Sequence, residues 1–478
     1  MKTSPLKLLA MLLFPVILLS SSCRSDDDEH SEGGIASNMA FPNAEGCGAV
    51  GTTGARGGDA VYVVTTLSDE LDPKTGLPPT SSLRGVLRTK GINKGYVIFS
   101  VSGTIKLSSP LSIPSNTTIF GQSAPGDGIC ISGENMSGED HLVDIAGDNV
   151  IVQFMRFRLA NDAVDADAFN CIGRDRIVID HCSFSWSSDE CVTCYGNTNF
   201  TMQWCMAYEG LNTDKKGNHG FGGIWGGTNA SFHHNLIANQ SNRYPRFDHD
   251  YVNDQRRGPV DFVNNVIYIT NNCNGVYGGE SGNGTSTPRS INVVNNYYKY
   301  SSAVTGSRRY KILEPSTSCS KCNPMIVPGK FYVYGNYADG SDDVSIDNSK
   351  GVTTTSVLVS TPFSMSKELS KQTATAAYSS VLAHAGSSFR RDAADTKVIN
   401  DVINNTGTTV TGASSVTFPI LDSGTAIKDS DRDGLPDDWE DANGLDKTDK
   451  RDSPKLSSSG SGYTNLEEYM YSLVKDLY

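Results

Sequence analysis

The sequence predicts an all-β chain coiled as a parallel β-helix, and three observations carry that expectation. First, one short phrase keeps returning: "NTTIFGQSAP" from 116, "NVIVQFMRFR" from 149, "RIVIDHCSFS" from 176 and "NFTMQWCMAY" from 199. It continues as "NASFHHNLIA" from 229, "PVDFVNNVIY" from 259, "SINVVNNYYK" from 290 and "KFYVYGNYAD" from 330. Second, each phrase is a short β-rich run followed by Gly, Asn or Ser turn signals, with no helical segment between successive phrases. A unit of this kind cannot bury its apolar face alone, so the units must stack. Third, aligning the phrases on their seventh residue puts Gln122, Met155, Cys182, Cys205, Asn235, Asn265, Asn296 and Asn336 in one column. Four stacked asparagines can bond amide to amide from coil to coil. These asparagines are therefore read as architecture, with no catalytic role.

The elements follow in chain order. "MKTSPLKLLAMLLFPVILLSSSC" has a basic start, an apolar run from Leu8 to Leu19 and small residues before Cys23. The run is too short to span a membrane and reads as an export signal over 1–22. Its ending resembles a bacterial lipoprotein cleavage site with Cys23 lipidated, ordinary secretion being the alternative. Residues 23–40, opening "CRSDDDEH", resemble the acidic tether of Bacteroidetes surface lipoproteins. Residues 41–365 carry the coils. "TATAAYSSVLAHAG" and "RRDAADTKVINDVINN" have helical spacing, with Gly386 as a stop, and place a capping or flanking helical segment over 366–421. From 422 to 478 the chain turns acidic and polar, marking a tail.

A formal charge of −13 excludes non-specific nucleic-acid binding, which needs a basic face. A polyanionic substrate would have to meet local arginines, a metal, or both. All eleven cysteines follow the signal, ten of them beyond Cys23, and their spacing fixes no pairing. Cys319-Ser-Lys-Cys322 is open between a local disulfide, half a zinc site and coincidence.

"SFHHNLIANQSNRYPRFDHD" concentrates His233, His234, Arg243 and Arg246 ahead of acids. His233-His234-Asn235 is followed by seven residues and then Arg243-Tyr244-Pro245-Arg246. Together with the coil repeat and "RIVIDHCSFSWSSDE", this resembles a pectate lyase of polysaccharide lyase family 1, over roughly residues 40 to 420. The resemblance implies a right-handed, pectin-lyase-like parallel β-helix. It also implies eliminative cleavage of polygalacturonate, giving 4,5-unsaturated oligogalacturonides. Such a reaction removes the C5 proton of a uronate and must stabilise charge on the adjacent carboxylate, for which a divalent cation or fixed arginines suit. The resemblance makes Arg243 the base, although guanidinium normally stays protonated. Arg246 becomes a substrate or structural cation. The family's second arginine falls at Asp248, leaving Arg256, Arg257, Arg289, Arg308 or Arg309 to supply the charge. Its substrate lysine has no clean match, and Lys215, Lys216 and His219 are the candidates.

Calcium (Ca2+) suits hard carboxylate ligands from neighbouring turns. "DAVDADAF" offers Asp165 and Asp167, and "WSSDE" offers Asp189 and Glu190. Asp180, His181, His233 and His234 are read as structural. In the tail, "DSDRDGLPDDWE" matches D-x-D-x-D-G-x5-E, so Asp429, Asp431, Asp433 and Glu440 form a second calcium loop with Gly434 at its sharp turn. The expected enzyme is an exported, monomeric, calcium-dependent pectate lyase that meets a membrane only through its lipid. A pectin lyase acting on methyl-esterified chains, with arginines in place of calcium, is one rival. A non-catalytic glycan-binding β-helix is the other.

Overall fold

From residue 149 onward each repeated phrase is a strand, a corner and a second strand, while the first phrase follows its strand Thr117–Phe120 with a 3-10 turn, Gly121–Ser123. The computed structural model describes residues 35–137, 140–213, 217–248, 257–281, 287–317 and 326–478. Cys23, Lys215, Lys216, Arg256 and the Cys319–Cys322 pair lie outside them. Among the described residues the strands form a 16-stranded and a 9-stranded sheet, with neighbours running parallel. The smaller sheet stacks the strands that follow the corner, among them Arg156–Arg158, Ser183–Ser185, Met206–Tyr208 and Leu236–Ala238. The larger sheet holds two rows. One contains the strands that precede the corner, such as Val150–Gln153 and Asp175–Asp180. The other begins with Leu111–Ile113, Asp140–Ile145 and Ala166–Ile172. Thr193–Gln203 and Ile224–His233 are long enough to serve both rows and join them.

The corner explains the phrase. Its sixth residue takes a left-handed backbone in coil after coil: Phe154 (φ 54°), His181 (48°), Trp204 (53°), His234 (55°), Asn264 (56°) and Asn295 (54°). Such a conformation costs a residue with a Cβ about 1–2 kcal/mol. Here the bulky corner residues stack on one another, with ring centroids 4.7 Å apart for Phe154–His181 and 4.2 Å for Trp204–His234. Aromatic pairs contribute about 0.5–1.5 kcal/mol beyond burial, enough to offset much of that cost. The seventh residue then points inward. Asn235 Nδ2 donates to Asn265 Oδ1 (3.0 Å), Asn265 to Asn296 (3.0 Å) and Asn296 to Asn336 (2.9 Å). Asn348, from outside the phrase, extends the ladder by accepting from Asn336 (3.1 Å).

Aliphatic and aromatic side chains fill the interior, with Phe157 stacked on Phe184 and Trp225 on Phe232. The helix Leu83–Lys90, capped by Ser82, packs Leu83, Val86 and Leu87 against the first coils. The helices Ala374–His384 and Ala393–Asn404 lie along the smaller sheet, burying Val381, Leu382, Val398 and Val402 on Met206, Leu236 and Tyr268. Arg158 anchors the second of them through Asp392 (2.7 Å) and Asp395 (3.0 Å), all fully buried or nearly so. The acidic tail packs Leu435, Leu466 and Met470 on Tyr96, Ile98 and Phe120 of the first coils. Among the described residues no helix is long and apolar enough to cross a membrane.

Candidate active site

Asp165 and Asp167 arrive at the start of the strand Ala166–Ile172, and Asp189 and Glu190 sit on the next coil. One backbone bond and one to a side chain lock the two coils together there: Asp189 N–H donates to Ala166 O (3.0 Å) and Glu190 N–H to the Asp167 carboxylate Oδ1 (2.9 Å). Three rungs then follow in line, Glu190 beside Phe221 and Phe221 beside Asn242. Arg243 comes immediately after. Its backbone is left-handed (φ 59°), and its N–H donates to the Asn242 side chain (2.8 Å). The guanidinium lies over the Phe221 ring, 4.2 Å from its centroid, and ion-pairs with Glu190. The middle rung is "FGG" because nothing larger fits. A Cβ at Gly223 would lie 2.0 Å from Val192 O, and one at Gly222 would lie 2.2 Å from Arg243 O.

The structure thus brings Arg243 to the carboxylates across two rungs, with Phe221 filling the rung between. His219 joins the group, its Nδ1 3.5 Å from Asp165 and 3.9 Å from Asp189. Ligand atoms of Asp165, Asp189 and His219, and of Asp167, Asp189 and Glu190, lie within 4.8 Å of one another. Burial, and then the charge of Asp189, push the Asp167 carboxyl well above the usual carboxylate range. Acids crowded in a partly buried place with hard oxygen donors fit a divalent cation of the calcium type. His141, which pairs in register with Asp167, adds an imidazole one rung earlier, held 3.3 Å from Asp144.

Arg246 stands beyond Arg243, ion-paired with Glu280 and 5.7 Å over the Tyr277 ring. Asp248, where the resemblance expects an arginine, is buried with Arg289 at 2.8 Å, each side chain 1% exposed. Arg289 is therefore wall, and a substrate cannot reach it. Arg308 pairs with Glu314 (2.6 Å), and Arg309 donates to Ser301 O and Val304 O. Of the remaining candidates, Arg257 is buried.

Asp180 and His181 are fully buried and bonded to each other (2.9 Å), with Gln153, Gln203 and Tyr478 completing the Asp180 carboxylate. His233 and His234 are buried partners as well (2.9 Å). Sequence reasoning missed Phe221, His141 and Glu280. Glu280 sits in "YGGESG", where nothing periodic marks it. Phe221 had a signal, since it directly precedes the tight Gly222-Gly223 pair.

The tail's acids also converge. Asp429, Asp431 and Asp433 form one group, and Asp433, Glu440 and Asp452 another. Burial and then neighbouring carboxylates push Asp433 up to about 7 and Glu440 up to about 8.

No family model matches the chain. It is 32% identical over 457 residues to a probable pectate lyase C of Neosartorya fischeri, covering 93% of this chain and 96% of that one. It is 31% identical over 457 residues to the probable pectate lyase C of Aspergillus fumigatus, with the same coverage. Among solved structures, a polygalacturonate lyase fused to a self-assembling peptide superposes with a TM-score of 0.49 at 16% identity, covering 76% of this chain and 99% of that one. A contiguous match to 93% of the chain takes in residues 40–440 wherever it starts, and so includes the whole Arg243 group. The chain belongs to the pectate lyase family.

Proposed function

We propose that the protein cleaves polygalacturonate by calcium-dependent β-elimination at the Arg243 group. The observation that carries this reading is the convergence of Arg243 with Asp165, Asp167, Asp189 and Glu190, in a chain 32% identical to a probable pectate lyase. The four acids would hold the cation. Bound there, Ca2+ would supply positive charge to the uronate carboxylate and so acidify the C5 proton. Phe221 and Glu190 orient the Arg243 guanidinium beside these acids. The family resemblance makes Arg243 the group that takes the C5 proton, which requires its neutral guanidine form, while the C4–O bond breaks and water protonates the departing oxygen. Its fixed planar fork suits the anionic sugar flanking that proton. His219 lies between Asp165 and Asp189 and would position the substrate, while Arg246, already paired with Glu280, binds further along the chain.

The amino-terminal signal supports export, and Cys23 would carry the lipid that holds a monomeric enzyme at the cell surface. The test of the activity is the absorbance of the unsaturated uronate product. Polygalacturonate should yield product with calcium and none with EDTA, and added calcium should restore the rate. Undiminished turnover in excess chelator, on methyl-esterified chains above all, would overturn the calcium mechanism.

A further inference from the structure

The tail loop and a residue far from it enclose a second set of oxygens. Asp429 spends its carboxylate on the loop backbone, accepting from Arg432 N–H (2.6 Å) and Gly434 N–H (2.9 Å). Asp433 uses Oδ1 on Leu435 N–H (3.0 Å), which leaves Oδ2 without a hydrogen-bond partner. Asp452, twelve residues past the loop, repeats the device: Oδ2 accepts from Asp446 N–H (3.0 Å), and Oδ1 has no such partner. Both oxygens of Glu440 and both of Asp431 also lack one, in each case among the described residues. Asp433, Glu440 and Asp452 are 1%, 0% and 8% exposed, and their ligand atoms lie within 4.8 Å of one another. Buried anionic oxygens turned toward a common point, with no donor or cation among them, are the arrangement a hard divalent cation satisfies.

These residues also join the tail to the body. Glu440 ends the buried side of the helix Asp437–Asn443. Asp452 O accepts from Asn465 Nδ2 (2.9 Å), and Ser453 Oγ donates to Asp433 O (2.9 Å). Asn465 opens the helix Asn465–Ser472, whose Leu466 and Met470 lie on Tyr96, Ile98 and Phe120. The same helix presents Glu467 to the buried Arg56 (2.8 Å), and Arg56 donates onward to Ser37 O, Met39 O and Ala40 O.

We propose that Asp429, Asp431, Asp433, Glu440 and Asp452 form a second calcium site, separate from the Arg243 group, whose occupancy clamps the carboxyl-terminal segment onto the first coils. Asp452 is the closing ligand, and through it the ion connects the loop to the docking helix. This inference is independent of the chemistry assigned to Arg243.

The test uses the full chain with Glu440→Gln and Asp452→Asn, singly and together. Amides keep the side-chain volume and remove like charges, so in EDTA the variants should melt no lower than the unsubstituted protein. In calcium the order should reverse. The double variant should show one calcium-binding event fewer by isothermal titration calorimetry, and each single variant an affinity at this site roughly tenfold weaker or more. The calcium-induced rise in melting temperature, and protection of the tail from protease, should shrink in step. Turnover at saturating calcium, below the melting range, should be unchanged. Asp189→Asn should instead weaken the other binding event and raise the calcium concentration that turnover needs, leaving the tail's event intact, so failure at one site is distinguishable from failure at the other. An unchanged number of bound ions in the double variant, or a loss of stability equal in EDTA and in calcium, would overturn the proposal.

Discussion

Replacing Asn265 with alanine removes the centre of the asparagine ladder, and the loss can be counted bond by bond. Asn265 Oδ1 accepts from Asn235 N–H and Asn235 Nδ2, both at 3.0 Å. Asn265 Nδ2 donates to Asn296 Oδ1 and Phe232 O, again at 3.0 Å. After the substitution Asn235 Nδ2 keeps Met202 O, and Asn296 Oδ1 keeps Asn265 N–H. The Asn235 N–H keeps nothing and is buried. An orphaned buried donor costs about 1–3 kcal/mol and each of the two lost but partly replaced bonds about 0.5–1 kcal/mol, so the sum is roughly 2–5 kcal/mol. With an unfolding entropy of about 2.1 cal/mol/K per residue over the folded chain, about 4 kcal/mol lowers the melting temperature by about 4–5 °C. Differential scanning calorimetry reads this directly. Asn265→Asp is the control: it keeps an acceptor for Asn235 N–H but loses the donor and buries a charge, so it should melt lower still. A shift below about 1 °C for the alanine variant would refute the argument that the ladder bonds are unreplaced.

Arg243→Lys should lower turnover at least about a hundredfold, because an ammonium cannot both lie flat on Phe221 and reach Glu190. Circular dichroism and calcium binding should be unchanged, and a near-normal rate would move the chemistry elsewhere. Asp189→Asn should raise the calcium concentration needed for half-maximal rate, since Asp189 belongs to both ligand groups at the site. A normal calcium titration would remove it from the ligand set. Arg246→Ala should act mainly on KM, its guanidinium being committed to Glu280. A loss confined to kcat would contradict that placement.

What repeats in the sequence was legible in it. The seventh-residue column became the ladder because one residue per coil meets the same turn and the same neighbours above and below. That Asp165, Asp167, Asp189 and Glu190 would come together was legible because they stand on neighbouring coils beside the repeated phrases. The connections between rows differ in length from coil to coil, and whatever depends on them was hidden. Phe221 enters the site on such a connection, Glu280 on another, and Asp452 reaches the tail's loop from outside its motif. The aromatic corner was hidden for a different reason. Phe154, His181 and Trp204 share a position and a ring, but the column passes to Asn264 and Asn295 further on, so only the left-handed backbone reveals a common corner on which the rings stack. Asp248 shows the limit of motif transfer: the register held, but its side chain turned inward to Arg289.

That inward turn sets the electrostatics a substrate meets. With Asp248 and Arg289 cancelling in the wall, the described charges at the site are Asp165, Asp167, Asp189, Glu190 and Glu280 against Arg243 and Arg246. Acids outnumber arginines, and the chain as a whole carries −13. A polyanion approaching this face without a cation is repelled, so salt should act with opposite signs in the two metal states. In EDTA, raising ionic strength screens repulsion and should hold or strengthen residual binding of oligogalacturonate. In calcium, where the site has turned attractive, the same salt should weaken binding. Fluorescence titrations of the Arg243→Lys protein, which should bind the ligand with little turnover, separate this effect from catalysis. If salt weakens binding equally with and without calcium, the arginines dominate the field and the acids are not there to hold a cation.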